Sequence, residues 1–261
     1  MPVVAGSDLA ALYPQEYDAY TLPAQPALRA LATALFMLRY RRALRRPPLR
    51  AVLERPAGRL LDIGSGRGDL GVVLGALEWE VTGLEPSQAA AAVARRRGVR
   101  TVVGTLDDTR LELAPPYDAV AFQHSLEHVA EPAENLIRAR TLLKRGGVVL
   151  VTVPNFASWQ ARRFGSAWFH LDLPRHRSHF TARGLDALLA RAGFGHVATS
   201  TSISADGLPM SFAYRLLGRS RGRGRGRYAE MVAAVLATPL TACIGRIVGD
   251  GDLLHAVAER T

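Results

Sequence analysis

Three glycines at alternate positions, Gly64, Gly66 and Gly68, close the stretch LLDIGSGRGDL at residues 60–70, just after the acid Asp62. Without a Cβ the backbone can approach a ligand closely and adopt positive φ, and free N–H groups at the start of a following helix favour polar or anionic groups. The spacing narrows the ligand. A dinucleotide fingerprint has glycine at its first, third and sixth places, but the sixth place here is Asp69, so the pattern is GxGxG and a pyrophosphate cradle is disfavoured. Glu85 follows the run WEVTGL at residues 79–84; an acid about 20 residues beyond such glycines, at a strand tip, can accept hydrogen bonds from both hydroxyls of a ribose. A solvated loop glutamate is the competing reading. His124, Glu127 and His128 spell HxxEH, which on a long helix sets two metal-ligating histidines and a glutamate base on one face. Here the spelling follows an apolar strand segment directly, which argues against a zinc protease.

The elements that must position these residues alternate. Leu60, Leu61 and Ile63 form a short apolar strand, residues 70–77 a first crossover helix, 79–84 a second strand and 87–97 (SQAAAAVARRR) a second helix. Strands follow at 100–103 and 118–122, then a turn at 144–147 leading into a strand that ends at Pro154 and Asn155, a helix at 182–192 and a strand at 194–203. Such β-α-β alternation gives an α/β fold, a doubly wound Rossmann-like sheet with helices on both faces. Residues 155–180 (NFASWQARRFGSAWFHLDLPRHRSHF) form a loop where function in such folds tends to sit. Trp159, Trp168 and Phe169 offer an apolar pocket for a ligand, and His170, His176 or His179 a base near neutral pH.

Taken in order, LLDIGSGRG, VTGLEPS, VVGTLDD, YDAVAFQHSLEHVAEP and LLKRGGVVLVTVPN resemble the motif series of a class I S-adenosylmethionine-dependent methyltransferase, nearest the group that includes the ubiquinone-biosynthesis O-methyltransferases. The resemblance spans residues 59–194, about half the chain. It implies a seven-stranded, mostly parallel sheet with an antiparallel edge strand at residues 252–258, an N-terminal helical lid and a helical insertion before the last strand. It implies S-adenosyl-L-methionine as cofactor, held by Gly64, Ser65, Gly66, Glu85, Pro86 and Gln123, with Asp62 supporting the glycine loop. Thr105 and Leu106 become adenine-edge neighbours. Thr105 stands where the group usually has Asp or Asn, so Asp107 or Asp108 would take over the amino-group contact. His176 and His128 are the catalytic candidates, His176 lying in PRHRSHFT, a stretch similar to one in this group. The motif series accounts for residues 123–128 without a metal, and none is expected. Some quinone O-methyltransferases carry a related Glu and His pair near a divalent ion, which keeps a magnesium-type site at Glu127 and His128 as the alternative. The acceptor implied is a small or lipid-linked molecule methylated on oxygen. An RNA methyltransferase would suit the charge, but the NPPY-type and catalytic-cysteine signatures are missing; a non-catalytic protein binding a membrane or partner is the reading from another class.

Composition sets the outer limits. A chain of 261 residues that is 48% hydrophobic has ample core for one large domain, assigned to residues 51–261 with a substrate loop at 155–180 and an insertion at 208–249. Residues 1–50 make the lid, with Tyr17 and Tyr20 as ligand contacts, and a basic amphipathic helix carrying Leu28, Leu31, Leu35 and Leu38. Cys243 is the single cysteine, which excludes an internal disulfide, and no export signal is visible, so the expected compartment is the cytoplasm. The apolar stretch at 231–245 contains Pro239 and is shorter than the roughly 20 residues needed to span a bilayer. The net charge is +10, nearly all of it arginine, since Lys144 is the only lysine. It concentrates in RYRRALRRPPLR (39–50) and RSRGRGRGR (219–227), which fit a solvated face or peripheral association with an anionic membrane. No aromatics are interleaved with the second stretch, so nucleic acid is disfavoured.

Overall fold

The computed structural model describes residues 47–108, 112–204, 206–217 and 251–261. After a one-turn helix, α1 (Arg50–Leu53), come β1 (Arg59–Ile63), α2 (Asp69–Gly75), β2 (Glu80–Glu85), α3 (Gln88–Arg96), β3 (Arg100–Val103) and β4 (Tyr117–Gln123). They are followed by α4 (Pro132–Leu142), β5 (Leu143–Pro154), α5 (Trp159–Phe164), α6 (Ala182–Arg191), β6 (Gly195–Ser202), α7 (Gly207–Leu217) and β7 (Leu253–Glu259). Two 3₁₀ turns, Gly165–Ala167 and Phe169–Leu171, lie between α5 and α6. The helices start where side chains satisfy free N–H groups: Ser87 caps α3, Ser158 caps α5 and Thr181 caps α6, while Pro132 sits in the first turn of α4. No described helix is long and apolar enough to cross a membrane.

The strands form one sheet in the order β3-β2-β1-β4-β5-β7-β6. β1 pairs in parallel with β2 and β4, Leu60 facing Val81 on one side and Ala119 on the other. Because strand side chains alternate, Leu60 and Leu61 enter opposite layers. Leu60 joins Val73, Leu74 and Trp79 beneath α2; Leu61 joins Phe122, Leu136 and Leu185 beneath α4 and α6. Burial on both faces explains the nearly unbroken apolar reading of β1, β4 and β5.

β7 runs antiparallel to both β5 and β6, as expected of the last strand, but it is not the edge: it lies between β5 and β6, and β6 takes the edge. The side chains give the reason. LLHAVAE in β7 is buried along nearly its whole length and needs cover on both sides, whereas GHVATSTS in β6 alternates with polar residues and tolerates a free side. Of the other sequence expectations, the lid, Tyr17, Tyr20, most of the 39–50 basic run and the insertion from 218 to 250 lie outside the described residues.

Candidate functional site

The carboxyl ends of β1, β2, β4 and β5 open on one sheet edge, the place where α/β sheets bind ligands. At the end of β1 the chain turns through Gly64, Gly66 and Gly68, with φ of 75°, 53° and 74°. A Cβ on Gly64 would stand 2.5 Å from the Cβ of Ser125, so the turn must be glycine both for its φ and for its contact with the loop after β4. Ser125 Oγ donates to the Ile63 carbonyl at 2.5 Å and ties the two strand tips together. Gly68 is the left-handed residue that opens α2.

Glu85 is buried at the tip of β2 and holds the loop. Its Oε2 accepts the Gly66 N–H and its Oε1 the Ser87 N–H, both at 2.8 Å. The Leu84 carbonyl accepts the N–H groups of Gly64 and Ser65. Burial raises the Glu85 pKa, against the lowering effect of those two donors. The loop therefore depends on Glu85 and Leu84 rather than on Asp62, whose buried Oδ1 has no hydrogen-bond partner. Burial, then the charges of Glu85 and Asp69, push the Asp62 pKa up to about 7. Ser65 Oγ and Gln123 Nε2 are likewise buried without a partner. A carboxylate, an amide donor and a hydroxyl thus await a polar ligand around one glycine turn, as a cofactor with hydroxyl and ammonium groups would require.

Pro86 is exposed beside Glu85. Further along the same edge, Thr105 is exposed and Leu106 buried after β3. Asp107 is engaged by Arg138 Nη1 at 2.6 Å.

The two catalytic candidates come together. His128 and His176 meet edge to face with ring centroids 4.7 Å apart, and one ligand atom from each, with one from Glu127, all lie within 4.8 Å. The loop 172–178 is clamped on residues 124–128 by hydrogen bonds from Arg177 N and Ser178 N to the Glu127 carbonyl, at 2.8 and 3.1 Å. His124 occupies a left-handed conformation (φ 55°) just past β4, its Nδ1 3.7 Å from Glu127 Oε1. Burial would raise the Glu127 pKa, but His124, then His128 and His176, bring it below the ordinary value. Burial above all, with His128 adding to it, pushes His176 down to about 4 despite Glu127. Such a group is neutral but weakly basic at pH 7, a poor match for removing an acceptor proton. The HxxEH residues lie in a turn after β4, not on a helix, so the protease arrangement is absent. A magnesium-type ion fits poorly too: Mg²⁺ demands oxygen ligands in octahedral array, and two of the three donors here are imidazoles.

The other aromatic-loop candidates make contacts away from this cluster. His170 Nε2 lies 3.1 Å from the fully buried Asp252 and 3.3 Å from Ser204 Oγ. His179 stacks on Phe156. Trp168 is buried with Phe164 and Leu208, with Trp159 against them, in a satellite core instead of lining an acceptor pocket. Sequence reasoning passed over Asp252 and Ser125, whose roles depend on partners distant in the chain.

Comparison with known proteins agrees with this geometry. A family model described as a methyltransferase domain matches residues 37–199, more than half of the chain. The ubiquinone biosynthesis O-methyltransferase of Xanthomonas oryzae pv. oryzae is 28% identical over 138 residues, 50% of this chain and 58% of that protein. The chain thus spans little more than half the length of that curated relative. Among solved structures, a SAM-dependent methyltransferase from Archaeoglobus fulgidus aligns over 87% of this chain and 93% of its own, with a TM-score of 0.56 and 19% identity. A SAM-dependent methyltransferase from Thermotoga maritima, described as a possible histamine N-methyltransferase, aligns over 79% and 84%, with a TM-score of 0.53 and 20% identity. With the glycine turn, the acid of β2 and the strand order all in place, the chain belongs to the methyltransferase domain family, in its class I S-adenosylmethionine-dependent form.

Proposed function

We propose that this chain transfers the methyl group of S-adenosylmethionine to an oxygen of a small or lipid-linked acceptor. The observation that carries the reading is the buried Glu85 carboxylate at the tip of β2, fastened to the Gly66 N–H and directed at the ligand edge of the sheet. In this reading the remaining lone pairs of Glu85 take the ribose hydroxyls, and Asp62 and Gln123 lie toward the polar methionine end. Leu106 contributes apolar surface for the adenine beside Thr105. When bound, S-adenosylmethionine would supply the methyl by in-line displacement at its sulfonium carbon, the C–S bond breaking as the new C–O bond forms, with S-adenosylhomocysteine leaving and the acceptor's proton passing to water. The protein's main work is then to position the acceptor.

Oxygen as the methylated atom and a lipid-linked acceptor rest on the likeness to ubiquinone-biosynthesis enzymes over half the chain. The arginine-rich runs at 39–50 and 219–227 suit an acceptor presented at an anionic membrane surface. Calorimetric titration with S-adenosylmethionine and S-adenosylhomocysteine is the first test, and micromolar binding of both is expected. Transfer of labelled methyl to phenols and polyprenyl phenols follows. Binding of neither cofactor form would overturn the proposal.

A further inference from the structure

We propose that His124 is the group that takes the proton from the acceptor, with Glu127 behind it as the residue that orients the imidazole and balances its charge. This assignment rests on the methyltransferase reading and deepens it. Its first support is the backbone. His124 has φ 55°, a left-handed conformation that non-glycine residues seldom adopt and that persists where the surrounding structure enforces it, often at functional sites. The enforcing contacts lie on both sides: the His124 N–H donates to the Thr152 carbonyl at 2.9 Å, and Ser125 Oγ donates to the Ile63 carbonyl. They set His124 one residue past Gln123, the last residue of β4, at the edge where such sheets bind ligands. The His124 side chain is 47% exposed, whereas that of Glu127 is 1% exposed.

A half-exposed imidazole with a buried carboxylate at its back is the arrangement of a proton-transfer pair. Neither oxygen of Glu127 has a hydrogen-bond partner, and His124 Nδ1 stands 3.7 Å from Oε1. Contacts of this kind are often long before substrate binds and shorten in the working complex. With Nδ1 toward Glu127, Nε2 remains for the acceptor. The charged groups around His124 are Glu127, Asp206 before α7 and Asp252 before β7, while His128 and His176 act on Glu127. Partial burial lowers the His124 pKa, but Glu127, then Asp206 and Asp252, raise it above the ordinary value. His176, held near 4 by burial, has no such poise, and His170 and His179 are engaged with Asp252 and Phe156. A base poised near neutral pH matches a phenolic hydroxyl, of pKa about 10, far better than an alkanol. In the step, the acceptor O–H bond breaks as an N–H bond forms at His124 Nε2. The oxygen takes the methyl as the C–S bond breaks, and the imidazolium then passes its proton to water.

The test uses the full-length protein with S-adenosylhomocysteine bound and 4-nitrocatechol as the probe, because its phenolate absorbs visible light. At a pH where the free probe is protonated, the wild type should bring up the phenolate band. His124→Gly removes the imidazole and suits the positive φ, so it should melt no lower than the wild type, yet lose the band. With labelled S-adenosylmethionine, its kcat for methylating the probe should fall about 100-fold or more with KM within about threefold, and added imidazole should restore part of the rate. Glu127→Gln should move the acid limb of the pH profile to lower pH, because the charge that raises the His124 pKa is gone; a purely structural role would leave that limb in place. No phenolate band with the wild type, a band and turnover retained by His124→Gly, or an acid limb unmoved by Glu127→Gln would overturn the assignment. Calorimetry with S-adenosylmethionine on the same proteins separates the two readings. A wild type that binds the cofactor without ionising the probe discards His124 as the base; one that binds no cofactor discards the methyltransferase reading itself.

Discussion

Asp62 and Glu85 lie side by side but answer to different forces. The folded Asp62, pushed from 3.8 to about 7, keeps its proton over a range where the unfolded chain has lost it. Its contribution to stability is therefore present at low pH and is lost as pH rises through about 4 to 7. Asp62→Asn abolishes this titration. The variant should be the more stable protein at pH 8, by an amount of the order of 2–4 kcal/mol, and no more stable near pH 4, as thermal melts across pH will show. If the cofactor's ammonium docks here, binding at pH 6 should release a proton. Calorimetry in buffers of different ionisation enthalpy measures that release, and Asp62→Asn should remove it. At Glu85 the carboxylate accepts two main-chain donors, so Glu85→Gln turns an NH₂ against one of them. Cofactor affinity should fall by about 1–3 kcal/mol, with a lower melting temperature; unchanged affinity would make Glu85 a loop fastener only.

Between elements, Asp252 performs a comparable task without chemistry. Fully buried just before β7, it accepts from the Ser204 N–H at 2.8 Å and from Ser204 Oγ, and it lies 3.1 Å from His170 Nε2. It thereby joins β7, the link from β6 to α7 and the 3₁₀ turn Phe169–Leu171. Asp252→Ala leaves His170 and Ser204 buried without that partner and should cost about 2–4 kcal/mol in denaturant unfolding. The effect on cofactor affinity should be smaller than that of Glu85→Gln, because no part of the glycine turn rests on Asp252. The inner position of β7 belongs to the same scale. Its residues pair with β5 from Leu253 to Glu259, bringing His255 between Thr152 and Ser202.

At the scale of the whole molecule the excess charge calls for a test separate from the site. Residues 219–227 hold five arginines, each worth about 1 kcal/mol near an anionic lipid surface. Deleting them should leave S-adenosylmethionine affinity within about twofold and reduce flotation with anionic vesicles at low salt. A large loss of cofactor affinity would mean that this segment belongs to the cofactor site. Equal flotation of both proteins would remove the segment from any membrane role.

How much of this was legible in the sequence follows from the range of the forces. The glycine turn, Glu85 and the alternation of strands and helices are set by local needs: positive φ, an acid at a strand tip, side chains alternating across a sheet. LLDIGSGRG and VTGLE therefore carry them openly. His176 and His128 were both nameable as candidates, yet 48 positions separate them, and only the loop clamped to the Glu127 carbonyl brings them together. The burial that weakens His176 as a base, raises the Asp62 pKa and takes Trp168 into a satellite core arises from contacts among distant segments. The inner place of β7 is likewise decided by which neighbours cover its two sides. The sequence by itself determined the family fold and the cofactor edge. The tertiary structure decided which polar groups lose water there, since desolvation is a property of the packed whole.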